Sequence, residues 1–188
     1  MGESSDKRLR SLLKGCRKKS RKAQKELYML YYNYAMSIAM RYSNNLMEAQ
    51  EITNDTFIKV FSKLELYDET KSFKGWLRRI LVNTSIDYYR KSLKFSQYKD
   101  IEEAQNMHGE EQAISKLSEM ELMEAIQQLS PAYRTIFNLY VIEGYKHEEI
   151  ALRLGINVGT SKSNLAKARA KLKELILHHS QAGNYLEI

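Results

Sequence analysis

Apolar residues recur at spacings of three and four along most of this chain, and no stretch reads convincingly as a strand. Leu27, Tyr31, Tyr34, Ile38 and Tyr42 form one stripe, which predicts a helix over 22–42. Asn45 followed by Glu48 has the N-cap and N3 spacing of a capping box, so a new helix starts there. It continues through Ile52, Thr56, Val60 and Leu64, with Phe57 and Phe61 widening the buried face and Glu51, Asn54 and Asp55 on the opposite one. After a polar loop over 66–71, Ser72 caps a third long helix with the stripe Phe73, Trp76, Leu77, Ile80, Thr84 and Asp87. Lys74, Arg78, Arg79, Arg90, Lys91 and Lys94 flank that stripe.

The second half repeats the helical spacing in shorter pieces. A short helix is expected over 117–129. Ser130 then caps a helix that has Pro131 in its first position, where the missing N–H is not needed. That helix carries Ile136, Phe137, Tyr140 and Val141 and should end at Gly144. Another runs over 147–154 and is stopped by Gly155, which suits a left-handed helix end. The last, over 158–178, is capped by Asn157 and turns Leu165, Ala168, Leu172, Leu175 and Ile176 inward. Some seven helices and no strand make an all-α chain.

Charge divides those helices into two groups. Residues 1–25 carry a net +8 and residues 69–99 a net +6, while residues 100–124 carry −7. The acidic stretch is polar, holds Gly109 and lacks a sustained apolar stripe, so it reads as a linker. The expected organisation is two small helical domains, 1–94 and 117–188, joined by an acidic linker over 95–116. A length of 188 residues suits two such domains, and one proline with eight glycines argues against a turn-rich β-sandwich. Cys16 is the sole cysteine, so an internal disulfide and a multi-cysteine zinc site are both excluded, and a reducing cytoplasm fits. The basic N-terminus has no apolar run after it, and no other apolar run is long enough for a bilayer; a cytoplasmic protein without membrane insertion is expected.

Three constellations could carry function. Over 148–172 a short helix, a tight turn at Gly155 and a second helix rich in Lys and Arg form a helix-turn-helix, with Ala151 at the crossing and Ile156 plugging the turn. Exposed side chains in the second helix should be Ser161, Lys162, Ser163, Ala166 and Lys167, with Arg169, Lys171 and Lys173 further along toward phosphate. The second constellation is Phe73, Trp76, Leu77, Ile80 and Asn83 with its basic flanks, the aromatic, amide and cationic set that single-stranded DNA needs. Taken singly, Phe73, Trp76 and Ile80 at helical spacing are more often core, and Asn83 is as readily an ordinary helix-surface residue. The third is the face Glu51, Asn54 and Asp55, by default a solvated surface. The four histidines show no metal-ligand spacing, and neither a phosphate-binding glycine loop nor a nucleophile elbow is present, so no cofactor, metal or enzymatic activity is expected.

With these motifs in hand, the chain resembles the sigma-70 family of RNA polymerase sigma factors, of the small extracytoplasmic-function type. The likeness rests on 48–61 (EAQEITNDTFIKVF), on 73–87 (FKGWLRRILVNTSID) and on the LSPAYRTIF run leading to GTSKSNLAKAR. It implies that 1–94 is sigma region 2, a helical bundle, and 117–188 sigma region 4. Glu51, Asn54 and Asp55 would then meet the β′ clamp helices of core polymerase, with the β flap as a second contact. The loop over 66–72 and the helix after it would capture the −10 element, through Lys71, Lys74, Arg78, Arg79 and Asn83. Lys162, Ser163, Ala166 and Lys167 would read the −35 element. Family members usually have Gln and Glu where this chain has Asn54 and Asp55, and many have Val and Arg where it has Ser161 and Asn164. Promoter DNA, core polymerase and an anti-sigma factor or other regulatory protein are the implied partners. A stand-alone helix-turn-helix regulator and a degenerate sigma-like adaptor are the competing readings, with a nuclease using Asp55, Glu51 and a metal behind both.

Overall fold

Helices account for every regular element of the computed structural model, which describes residues 2–96 and 119–183. From position 97 onward the expected linker lies outside the described residues. The chain divides into two compact units, Met1–Asp87 and Tyr88–Ile188.

In the first unit α1 (Gly2–Arg17) packs on α2 (Arg21–Ala39) through Leu12, Leu13 and Cys16. The two backbones pass closely at Gly15, where a Cβ would lie 2.7 Å from that of Ala23. Lys19 takes the left-handed conformation, φ 58°, to reverse the chain, and Ser20 Oγ then accepts from Ala23 N–H at 3.4 Å to start α2. The predicted stripe of α2 is buried at Leu27, Tyr31 and Ile38, with Ala35 and Ala39 beside them and Tyr34 half-buried. The helix ends at Ala39, short of the expected position, because N–H groups of Arg41 and Tyr42 bond three residues back and tighten the last turn. Tyr42 stays buried in that turn.

Asn45 starts α3 (Leu46–Ser62) as expected, its Oδ1 accepting from Glu48 N–H at 2.9 Å. The Glu48 carboxylate reaches back to Asn44 N–H at 2.7 Å, one residue earlier than the sequence motif implies. Ile52, Thr56, Phe57, Val60 and Leu64 form the buried side, and Phe61 is half-buried. A 3₁₀ turn, Leu64–Leu66, leads toward α4 (Phe73–Ser96).

The stripe expected on α4 needs correction. Phe73, Leu77 and Thr84 are buried, but Trp76 and Ile80 are half-buried, and Asp87 is exposed with its carboxylate 3.0 Å from Lys59 Nζ. Leu81, Val82, Ser85 and Ile86 complete the buried set. A helix with apolar residues on two flanks offers more than one stripe at this spacing, and burial selected the one through Leu81.

The second unit contains α5 (Glu119–Gln127), α6 (Pro131–Phe137), α7 (His147–Leu154) and α8 (Val158–Gly183). Ser130 Oγ accepts from Tyr133 N–H at 3.5 Å, so the Ser-Pro start is present. The helix does not continue in α form to Gly144. It passes at Asn138 into a π turn, Asn138–Ile142, where buried Asn138 donates from Nδ2 to the Arg134 carbonyl at 2.9 Å and Val141 is exposed. Arg134 is itself buried, and its Nη2 donates to the carbonyls of Gln127 and Leu129 at 3.0 and 2.8 Å. These two bonds tie Arg134 to the last residue of α5 and to the turn after it. Arg134→Met is expected to lower the stability of this unit by about 3 kcal/mol, read by thermal unfolding.

Candidate nucleic-acid interface

Three surfaces correspond to the three constellations. The first lies where the 66–72 loop meets α4. Tyr67 is buried against Phe73 and Trp76, with ring centroids at 5.4 and 5.1 Å, and its hydroxyl donates to the Lys71 carbonyl at 2.5 Å. Tyr31 packs on the same Phe73 ring at 4.9 Å. Asp68 Oδ1 accepts from both the N–H and the hydroxyl of Thr70, at 3.0 and 2.7 Å. These bonds, helped by Lys71, hold the Asp68 carboxyl below its ordinary value. Arg17 on α1 pairs with Glu65 and, more closely, with Glu69, so the loop is also tied to the first helix.

On α4 the expected residues do not share one face. Trp76, Arg79 and Asn83 follow one another at i, i+3 and i+7. Lys74 and Arg78 lie at i and i+4 on another side, about 150° away around the helix. Lys71, Lys74 and Arg79 are exposed, and Arg78 and Asn83 are half-buried. Lys74 Nζ sits 5.5 Å from the centre of the Tyr34 ring. The first row pairs an aromatic edge with a cation and an amide, the second offers charge alone.

The second surface is the outer side of α3. Glu51, Asn54 and Asp55 are all exposed there, and Asn54 Oδ1 accepts from the Tyr28 hydroxyl at 3.0 Å. The sequence reading missed its apolar members: Met47 and Ile58, 72% and 65% exposed, fall on the same side of the helix as Glu51. Their signal was present, because both stand out of register with the buried stripe Ile52, Thr56 and Val60. Apolar groups set among short polar ones suit a protein partner better than a solvated face does.

The third surface is the helix-turn-helix. Gly155 adopts φ 70°, and the N–H groups of Gly155 and Ile156 both bond to the Ala151 carbonyl, at 2.9 and 3.1 Å. Ile150, Ala151 and Leu154 of α7 are buried, as are Leu165, Ala168, Leu172 and Ile176 of α8, whereas Leu175 is half-buried. Lys162, Ser163 and Ala166 are exposed in the first turns of α8, and Lys167 is half-buried at their edge. The Ser163 hydroxyl donates to the Thr160 carbonyl at 3.1 Å, which leaves its oxygen free to accept.

Ser161 does not belong to that outward row. It is fully buried, and its Oγ lies 2.9 Å from His147 Nδ1. The His147 ring stacks on Tyr140 at 4.4 Å, and Arg169 lies 6.0 Å from the Tyr140 ring centre. A polar joint thus seats α8 on the start of α7, at a position where the helical wheel faces inward. Burial, followed by the charge of Lys162 and then of Arg169, pulls the His147 pKa below its ordinary 6.5, with Glu148 opposing them. The native state therefore binds the proton less well than the unfolded chain. Stability of this unit should be undiminished above the ordinary histidine value and should fall as pH drops below it. Thermal unfolding between pH 7.5 and about 5.5 measures this, and His147→Gln should flatten the dependence.

Residues 27–94 match Sigma-70 region 2, and residues 119–172 match Sigma-70, region 4. The ECF RNA polymerase sigma factor SigE of Mycolicibacterium smegmatis is 29% identical over 160 residues; the match takes in 82% of this chain and 62% of that protein. RNA polymerase sigma factor NccH of Alcaligenes xylosoxydans xylosoxydans is 33% identical over 136 residues, covering 69% of this chain and 73% of that protein. Among solved structures, a sigma factor RpoE in complex with the anti-sigma factor NepR from Bartonella quintana has a TM-score of 0.47 and 25% identity, covering 81% of this chain and 95% of that one. Among the described residues no helix is long and apolar enough to cross a membrane.

Proposed function

From the premise that the chain belongs to the sigma-70 family, as a sigma factor of the extracytoplasmic-function type, we propose that it lends promoter selectivity to core RNA polymerase and has no catalytic residue of its own. In this reading 1–94 serves as region 2, 95–116 as an acidic linker through the enzyme's basic cleft, and 117–188 as region 4. Work of this kind takes place in the cytoplasm. Glu51, Asn54 and Asp55, joined by Met47 and Ile58, meet the β′ clamp helices, while the second domain lies near the β flap. Lys71, Lys74, Arg78, Arg79 and Asn83 hold the −10 element. The two rows on α4 share this work, with Trp76, Arg79 and Asn83 taking the melted strand and Lys74 and Arg78 its phosphates. Lys162, Ser163, Ala166 and Lys167 read the −35 duplex in the major groove.

The observation that carries this reading is the outward row Lys162, Ser163 and Ala166 on a helix whose other side is buried behind a left-handed glycine turn. An anti-sigma factor or other regulator would restrain the chain most simply by covering the α3 surface, since polymerase could not then reach it. Run-off transcription with purified core enzyme on a genomic library tests the function. Transcripts starting at a shared −10/−35 pair are expected, and their absence would remove the proposal. Asn83→Ala should lower open-complex formation about tenfold while leaving closed-complex affinity near its original value, measured by permanganate reactivity and by filter binding.

A further inference from the structure

A row of exposed cations in the first unit belongs to none of the three surfaces above, and residues 1–25 carry a net +8. Lys7, Arg10 and Lys14 follow one another at i, i+3 and i+7 along the outward side of α1, and Lys18, Lys19 and Arg21 carry the row through the turn into α2. All six are exposed, and none forms an ion pair with a described side chain. Like charges at these spacings repel one another and weaken a helix, so the row works against the fold of α1.

We propose that this ridge is a further DNA-binding site, which holds the phosphates of promoter duplex flanking the −10 element. Three observations choose that occupant. No aromatic residue occurs in residues 1–25, so the ridge has no platform on which unpaired bases could stack, and it suits a duplex backbone. The apolar side of α1 itself, at Leu12, Leu13 and Cys16, is buried against the unit, so α1 does not present the apolar face by which an amphipathic helix enters a bilayer. Finally, Arg17 at the end of α1 pairs with Glu65 and Glu69, so the ridge is fixed to the loop proposed to take the −10 element. DNA leaving that loop meets the ridge on the same compact unit, and the contact is independent of base sequence.

The inference rests on the promoter-binding reading, and the experiment separates the two. Holoenzyme made with Lys7→Ala, Arg10→Ala, Lys14→Ala and Lys18→Ala together is compared with the unsubstituted form for promoter binding across a potassium chloride series. The slope of log K against log salt should become shallower by about 3 to 4, and the hydroxyl-radical footprint beside the −10 element should shrink. Replacing the three lysines by arginine and keeping Arg10 should leave both as in the unsubstituted form. An unchanged slope and footprint in the alanine variant would overturn the ridge, and so would a loss confined to core-polymerase affinity, which would make the surface a protein contact. If the unsubstituted holoenzyme forms no promoter complex, the functional reading itself fails.

Discussion

Ile58→Asp should reduce the affinity of this chain for core polymerase by roughly a hundredfold or more while leaving its thermal unfolding almost unmoved. The side chain is 65% exposed, so the free chain loses little packing when it is replaced. In the complex a carboxylate would be carried out of water into the middle of a contact already containing Glu51 and Asp55. Desolvation and like-charge repulsion act together there, and a truncation at the centre of an interface alone commonly costs about 2 kcal/mol or more. Met47→Asp, one turn before Glu51, should do the same to a smaller degree. Fluorescence anisotropy with labelled core enzyme measures both. Near-normal affinity would show that the outer side of α3 is solvent in the holoenzyme.

The second large effect is expected from Lys162→Ala with Lys167→Ala. Each lysine removed from the major groove or its phosphates should cost about 1 to 3 kcal/mol, so the pair should weaken −35 binding by at least about thirtyfold and relax the sequence preference there. Ser163→Ala should do less, because the hydroxyl proton is held by the Thr160 carbonyl and only the uncharged oxygen is left to meet DNA. Competition binding with promoters altered in one element at a time separates the two readers. Equal loss on −10 and −35 variants would mean that α8 contributes only general attraction.

Caps and breakers were legible in the sequence because their chemistry is local: Asn45, Ser130 and Gly155 each act within four residues of themselves. So was the pairing of α7 with α8, since Ile150, Leu154, Leu165 and Leu172 repeat with the helix. Ser161 was misplaced because a serine beside Lys162 in a basic helix reads as surface, although its spacing from Leu165 and Ala168 already put it inward; only its partner, His147, fourteen residues away on another helix, was beyond the sequence. The α4 stripe failed for a related reason: Ile80, Leu81 and Val82 are consecutive, and only the neighbours of the helix decide which of them is covered. The π turn at Asn138 follows from a buried amide bonding back to the Arg134 carbonyl, a contact that no periodicity announces. Met47 and Ile58 could have been found by asking which apolar residues fall outside the α3 stripe. The pairing of Arg17 with Glu65 and Glu69 could not, because it joins residues 48 and 52 positions apart in the chain.

At the centre stands the claim that two weak DNA readers gain selectivity by being held over one duplex by a larger enzyme. The ratio of affinities for a cognate promoter and a scrambled duplex, measured at about 150 mM salt with and without core polymerase, tests it most directly. A ratio near one is expected for the chain alone, and of about a thousand or more for the holoenzyme. A chain that discriminates as sharply without polymerase as with it would contradict the claim.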